Sequence, residues 1–420
     1  MPGILEDLHG KPMPIPVEKS WAEGVPDYSY WNHMYGARKG TIDRAVNTQD
    51  SGALNKALLS NLKDLLITEE DCGTSRGIEF AANDRNLIGR TSLTDIPGVV
   101  GMGDIISPAD VDDIAKKMKG KEIKVRSPLT CASVEGVCAT CYGLTPEGHL
   151  PKVGTNVGVL DGESITERST QLTMKTFHSG GSSLAGGGIA AGFPELQRAL
   201  ELPVILPGVA TLSTVAGIVN EITPNAAGGY AVVINSVSHN VRPGRTLLVK
   251  KGQPIYRGQP LSSGTEKPQE VAELRNFLDA QRGLVNRMSN VYEDKFGKRT
   301  FETVIRGISN NALITDTPDD SEFLRGDTVK LSLVEKDNEE RLKEGRPLVT
   351  FKPYFKSIQV LPHESEDWLS RLTSNNLKRV IQEGAAKGYK TNIHGVDPHP
   401  AYLYGKEFAD QYDPKRGIFW

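Results

Sequence analysis

The sequence has 420 residues, with 49 Lys and Arg against 52 Asp and Glu and a formal net charge of −3, which excludes a strongly basic protein that binds nucleic acid by charge alone. At 38% hydrophobic and 24% charged residues it can build a buried core and is not intrinsically disordered. No apolar run approaches the roughly 20 residues that span a bilayer, the N-terminus lacks the basic and apolar regions of a signal peptide, and four cysteines are too few for a disulfide scaffold.

Residues 1–26 are spaced by prolines and read as an extended arm that something else must hold. From Tyr28 to Ile67 no proline intervenes, so this stretch suits one helix of about 40 residues, ~60 Å long. It also carries Gly36, Gly40 and Gly52, and periodicity alone favours two shorter helices broken at Gly40 and Gly52. Residues 68–155 alternate short strands with a helix over 109–119. Lys116, Lys117, Lys119, Lys121, Lys124 and Arg126 follow as a basic cluster, which suits phosphate contact or, equally, a solvated helix C-terminus favoured by its dipole. A helix over 163–179 leads into Gly180, Gly181, Gly186, Gly187, Gly188 and Gly192, and a second helix follows at 194–200. Two helices joined by glycines make a hinge. Residues 201–265 hold β-branched runs between Pro-Gly and Gly-Gly turns, the pattern of a small β barrel or sandwich. Helices are expected over 268–294 and 365–388, with strands around 301–306 and 329–334.

The cysteines fall as C-x58-C-x6-C-x2-C: Cys72, Cys131, Cys138 and Cys141. Cys138 and Cys141 make a tight knuckle, and four sulfurs point to a tetrahedral Zn²⁺ with no open position, hence structural. A redox CxxC is the competing reading, but nothing around it looks like a strand-to-helix opening, and it leaves two cysteines idle. A three-thiolate site with Cys72 as a small buried residue stays open.

The segment Gln171-Leu172-Thr173-Met174-Lys175-Thr176-Phe177-His178-Ser179-Gly180-Gly181 resembles the trigger loop of the beta-prime subunit of multisubunit RNA polymerases. Gly36-Ala37-Arg38-Lys39-Gly40 with Asn47-Thr48-Gln49-Asp50-Ser51-Gly52 is similar to that subunit's bridge helix. Thr68 to Thr74 and Val125 to Gly143 resemble its second zinc site, and Phe323 to Asp327 and Leu377 to Gly395 its C-terminal portion. The family's Asn-Ala-Asp-Phe-Asp-Gly-Asp magnesium loop occurs nowhere in the chain.

The resemblance implies a mixed α and β, multidomain fold: arm (1–26), long bridge helix (27–67), four-cysteine zinc module (68–155), helix-hairpin trigger loop (156–200), β-rich jaw-like domain (201–345) and C-terminal helical region with tail (346–420). It implies the C-terminal half of a split subunit, of the giant-bacteriophage type, inactive alone. Lys175 and His178 would approach the triphosphate as catalytic residues, Gln171 the ribose, Met174 the base, and Thr48 and Gln49 would complete the substrate site. Helical geometry agrees to the extent that Gln171, Lys175 and His178 share about 60° of arc. Lys175 stands where bacterial enzymes usually carry Arg, Arg168-Ser169 where Pro-Gly is usual, and Gln49 where a small Ala is typical.

The implied partners are the N-terminal part of beta-prime, beta-subunit chains, a promoter-specificity subunit, DNA template, RNA product and nucleoside triphosphates, with no membrane. Structural Zn²⁺ would sit on this chain and Mg²⁺ on a partner. The implied setting is the host bacterial cytoplasm or a phage-made compartment, with virion packaging as a variant. The alternative is a non-catalytic zinc-dependent nucleic-acid-binding or scaffold protein derived from the same fold.

Overall fold

The computed structural model describes residues 3–5, 7, 11–175, 192–206, 208–225, 228–292, 296–360, 377–388, 412–413 and 418–419. Within its helices, the side chains of residues 43, 44, 46–48, 170–175 and 377–379 lie outside that description.

The first helix, α1 (Asp27–Leu62), runs unbroken for 36 residues. It passes through both Gly40 and Gly52, where periodicity had suggested breaks. The pattern misled because the apolar stripe changes face. Leu54, Leu58 and Leu62 are buried at helical spacing near one end, whereas Tyr28, Trp31, Tyr35 and Ile42 are exposed toward the other. Each glycine costs about 1 kcal/mol against Ala, and tertiary packing offsets it. The arm lies back against α1 of its own chain. Gly3 and Val17 bridge, Leu5 and Val17 are buried, and Asn32 Nδ2 donates to the Ile15 carbonyl at 2.7 Å.

The next module is built from β1 (Ile67–Glu69), β2 (Ile78–Ala81), α2 (Pro108–Lys117), β3 (Glu122–Val125), β4 (Val137–Cys138) and the one-turn α3 (Ala139–Tyr142). β2 pairs antiparallel with β3 and β1 parallel with β4. Gly136, at φ +72°, permits the latter pairing, since a Cβ there would collide with the Leu66 carbonyl. Ser107 and Asp110 form a capping box on α2. Three of the six residues of the basic cluster are engaged within the chain: Lys116 pairs with Asp113, Lys117 donates to the Pro97 and Gly98 carbonyls, and Arg126 is buried, while Lys119 and Lys121 are exposed.

After α4 (Val157–Lys175) and α5 (Gly192–Glu201) comes an antiparallel sheet in the order β7-β6-β5-β8, from β5 (Gly217–Pro224), β6 (Tyr230–Ile234), β7 (Val237–Val241) and β8 (Pro254–Ile255). It has its own core of Val219, Val232, Ile234, Val241, Val249, Ile255 and Leu261. The expected helix over 268–294 is two helices, α6 (Pro268–Leu274) and α7 (Phe277–Val291).

The strand expected around 301–306 is instead the middle of α8 (Lys298–Ser309). Phe301, Val304, Ile305 and Ile308 are all buried at i, i+3, i+4 and i+7, so helical period overrides the β-branched composition of the segment. β9 (Asn311–Asp316) pairs with β10 (Thr328–Val329) and, later in the chain, β11 (Thr350–Tyr354). The strand expected over 329–334 gives way after Val329 to α9 (Leu331–Glu344), which Gly345 ends in the left-handed region at φ 69°. Of the expected 365–388 helix, α10 (Leu377–Lys387) is present, and residues 365–376 lie outside the described residues. β12 (Tyr412–Asp413) pairs with β13 (Ile418–Phe419).

The largest core joins the C-terminal part of α1 to α4, α5, α7 and α8 through Leu54, Leu58, Ile165, Leu196, Leu284 and Phe301. A buried ion pair ties this core to the cysteine module: Arg90 Nη1 and Nη2 donate to Glu302, at 2.7 and 2.6 Å, and Ser127 Oγ donates to the same carboxylate at 2.7 Å. Among the described residues, no helix is long and apolar enough to cross a membrane.

Candidate functional site

Two features stand out: an antiparallel helix pair and a cluster of four thiols. α1 and α4 meet at Leu62 with Gly158, where a Cβ would collide with the Leu62 carbonyl, and at Leu59 and Leu62 with Gly162, where a Cβ would lie 3.0 Å from each side chain. Further along, Thr166 Oγ1 donates to Asn55 Oδ1 at 3.0 Å, and Ser169 Oγ lies 3.5 Å from Ser51 Oγ. Numbers rise along α4 as they fall along α1. Small and hydroxylated residues line the contact, which permits the close approach. α4 is anchored from behind by Tyr292 Oη, which donates to the Ile165 carbonyl at 2.8 Å.

The substrate-site residues read from the sequence are placed only in part. Gln171, Met174 and Lys175 belong to the last turns of α4 and Thr48 to α1, with side chains outside the described set; Gln49, on α1, is exposed; His178 and the glycine run from 180 to 188 lie outside the described residues.

Cys72, Cys131, Cys138 and Cys141 offer sulfurs all within 4.8 Å of one another. Cys72 to Cys141 and Cys131 to Cys72 are each 3.8 Å. A tetrahedron with Zn–S bonds of ~2.3 Å has an S···S edge of ~3.8 Å, whereas a disulfide needs ~2.05 Å. The set therefore fits a tetrahedral ion, and Cys72 is one of its members. Cys138 ends β4 and caps α3, a strand-to-helix step where the residue pattern pointed to none. That helix is only four residues long, and the two remaining sulfurs complete the cluster. Backbone N–H groups of Cys138 and Cys141 donate to the sulfurs of Cys131 and Cys138, both at 3.3 Å.

Hydrogen bonds from the Cys138 and Cys141 thiols hold Cys131 well below the usual thiol range. At Cys72 the contact with Cys131 raises the thiol, donation from Cys138 and Cys141 lowers it, and the balance is about 6. Contact with the Cys131 sulfur pushes Cys138 and Cys141 up. The four thiols thus resist ionising together, and a divalent cation would make all four thiolates compatible.

Arg126, read from the sequence as part of a basic cluster suited equally to phosphate contact or to a solvated helix C-terminus, lies across this centre. Its Nε donates to Cys141 Sγ at 3.2 Å and its Nη2 to Cys72 Sγ at 3.3 Å. No spacing rule reveals that role.

Asp161, on α4, was also missed. It is buried, and Tyr142 Oη, one residue past Cys141, donates to its Oδ1 at 3.3 Å. Burial pushes its carboxyl up to about 6, from an ordinary 3.8, against the opposing Thr303 hydroxyl and Arg299 charge. The folded state therefore binds this proton more tightly than the unfolded one. Ionised Asp161 costs stability above pH 6, and the cost fades as pH falls from 6 toward 4. Asp161→Asn is expected to raise the thermal midpoint at pH 8, by an amount equivalent to at most about 3 kcal/mol, with the gain shrinking by pH 4.5. Parallel melts of the two proteins check this, and a pH-independent difference would contradict it.

The sequence model of the RNA polymerase Rpb1 family, domain 5, matches residues 24–227. The chain is similar to DNA-directed RNA polymerase subunit beta-prime of Acholeplasma laidlawii, 30% identical over 94% of this chain and 30% of that subunit. It resembles those of Leifsonia xyli and Streptomyces avermitilis at 31% identity, again over 94% of this chain and 32% of each subunit. The chain thus spans about a third of the length of the curated relatives it matches. Over these stretches the chain is similar to the C-terminal part of that RNA polymerase subunit.

Proposed function

We propose that this chain is a catalytic-centre subunit of a DNA-dependent RNA polymerase, with α1 as bridge helix and the segment from α4 to α5 as trigger loop. The observation that carries the reading is the register of α1 on α4. Partners run from Leu62 with Gly158 to Ser51 with Ser169, so continuing the same antiparallel step carries the Gln171–Lys175 end of α4 toward Thr48 and Gln49. Those are the stretches whose sequences resemble the substrate-facing parts of the family. Nucleotidyl transfer needs positioning and cations where charge builds on phosphate oxygens, and Lys175 and His178 would supply them.

The four cysteines would hold a structural Zn²⁺. The two Mg²⁺ ions of the reaction would be held by a partner chain, because no triple-aspartate loop occurs in this sequence. The partners of this reading are chains resembling the N-terminal part of beta-prime and beta, together with template, transcript and nucleoside triphosphates. The setting would be a bacterial cytoplasm or a phage-made compartment within it, as for the split enzymes of giant bacteriophages.

The test is reconstitution. The chain alone is expected to add no nucleotide to an RNA–DNA scaffold, and addition should begin when the aspartate-bearing partner and beta-like chains are supplied. Template-directed synthesis by the isolated chain would sink this reading. A scaffold role would show instead as assembly without any dependence of the rate on Lys175.

A further inference from the structure

The four sulfurs of the cysteine centre are not equally protected. Cys131, Cys138 and Cys141 are no more than 1% exposed. Each lies on or beside a fixed element: Cys131 follows the helical turn Pro128–Thr130, Cys138 ends β4 and Cys141 lies in α3. Cys72 is the exception. It is half-buried and sits in the irregular loop between β1 and β2, where Glu70, Asp71, Gly73, Ser75 and Arg76 are exposed. Gly73, the next residue, is at φ +67°, and a Cβ there would meet nothing within 4 Å, so the loop has open space on that side.

Thiolates are nucleophiles, and their oxidation follows exposure. Cys72 Sγ is 3.8 Å from the sulfurs of both Cys131 and Cys141, and an irregular loop closes such a gap to the ~2.05 Å of a disulfide more readily than a strand or helix does. Two charged groups border this sulfur: the buried Arg126, whose Nη2 donates to Cys72 Sγ at 3.3 Å, and the half-exposed Asp71 carboxylate that Arg126 also binds. Charges of both signs select neither an anionic nor a cationic reagent, which leaves a small neutral oxidant. We propose that Cys72 is a peroxide-modification site: its sulfur is the first of the four to be oxidised, and it closes onto Cys131 or Cys141 with release of the bound ion. The Cys72 thiolate attacks hydrogen peroxide, the O–O bond breaks, and a sulfenic acid and hydroxide form. The neighbouring thiolate then attacks the Cys72 sulfur, the S–O bond breaks, and a second hydroxide leaves. The two thiolates together give up two electrons, the peroxide takes them, and only two of the four ligands remain for the ion. The Cys138–Cys141 knuckle, which its spacing alone would nominate for redox chemistry, is the protected part of the centre. This rests on the metal reading of the cysteines, but not on the polymerase reading.

The experiment uses the full chain loaded with Zn²⁺ and treated with hydrogen peroxide. Release of the ion is followed with a chromogenic chelator. At partial release, sulfenic acid is trapped with dimedone, and disulfides are mapped by peptide mass spectrometry. Dimedone is expected on Cys72 ahead of the other cysteines, followed by linkage of Cys72 to Cys131 or Cys141 in step with release. Cys72→His keeps a zinc ligand and removes the exposed sulfur. It is expected to slow release by about tenfold or more.

A first disulfide between Cys138 and Cys141, label on a buried cysteine ahead of Cys72, or release from Cys72→His at the wild-type rate overturns the proposal. Should Cys72→His not fold or not hold zinc, the order of labelling and linkage in the wild-type chain decides alone. Failure of the wild-type chain to bind one Zn²⁺ overturns the metal reading, and this inference with it.

Discussion

Stripping the metal from the four-cysteine centre is expected to destabilise the fold around residues 68–145 while the helical core persists. The cysteines are much of one of that module's two cores: Cys131, Cys138 and Cys141 are buried in one cluster with Ile67, Val137, Tyr142 and Val157, beside a cysteine-free core that includes Ile78, Leu87, Ile106, Ile114 and Ile123. The segment before Cys72 meets the knuckle through the pairings Ile67 with Val137 and Glu69 with Cys138, through Thr140, whose N–H and Oγ1 both donate to the Glu70 carbonyl, and through Arg126, which donates to Cys72 and Cys141. Structural zinc sites have apparent binding free energies of about 10–16 kcal/mol at neutral pH, comparable to the whole stability of a domain, about 5–15 kcal/mol. Cys138→Ser should therefore lose the ion and, with it, hydrogen-exchange protection across 68–145. Because Cys138 and Cys141 hold their protons tightly, loading must expel protons, and affinity should fall as pH falls. One Zn²⁺ per chain by elemental analysis is expected for the wild type. A Cys138→Ser protein with full metal content and unchanged exchange would contradict the assignment.

The cysteine spacing was legible because metal ligands need particular atoms, and the sulfur of a Cys is a rare resource in a chain with only four. The buried arginines near it were not. Arg126 sits in a run of lysines that looks like a solvated face, and Arg306 in a run, Thr303-Val304-Ile305-Arg306, whose β-branched residues read as a strand. Local composition cannot show that Glu302, in the same helix, is needed to meet Arg90 more than 200 residues away in sequence. α1 shows the converse. Its two glycines argued for breaks, but Gly40 and Gly52 face open space, so nothing in their surroundings forces the backbone to turn. The antiparallel register of α1 on α4 depends on Gly158 and Gly162 together with Ser51 and Ser169, residues that carry no apolar signal at all.

Under the proposed function, Lys175→Ala and His178→Ala in the assembled enzyme are expected to slow single-nucleotide addition by about 10²–10³-fold each, with template binding near normal. Charge on the phosphate oxygens grows between ground and transition state, so a cation that reaches them only on closure lowers the barrier without tightening the resting complex. Lys175 lies at the end of α4, six residues past Ser169, whose Oγ lies 3.5 Å from Ser51 Oγ on α1. Such placement favours movement of the tip over movement of the base. Replacing Lys175 by Arg tests geometry against charge: the planar guanidinium adds bidentate reach, and the rate should stay within about tenfold of wild type if charge is what matters. His178→Ala should show the smaller defect if the imidazole acts by position and not by proton transfer, and the wild-type rate would then lack a pH dependence near 6.5. Rapid-quench addition on a preformed RNA–DNA scaffold separates these effects from binding. Equal rates for wild type and both alanine variants would remove the substrate-facing role from the end of α4, leaving the α1–α4 pair as packing alone.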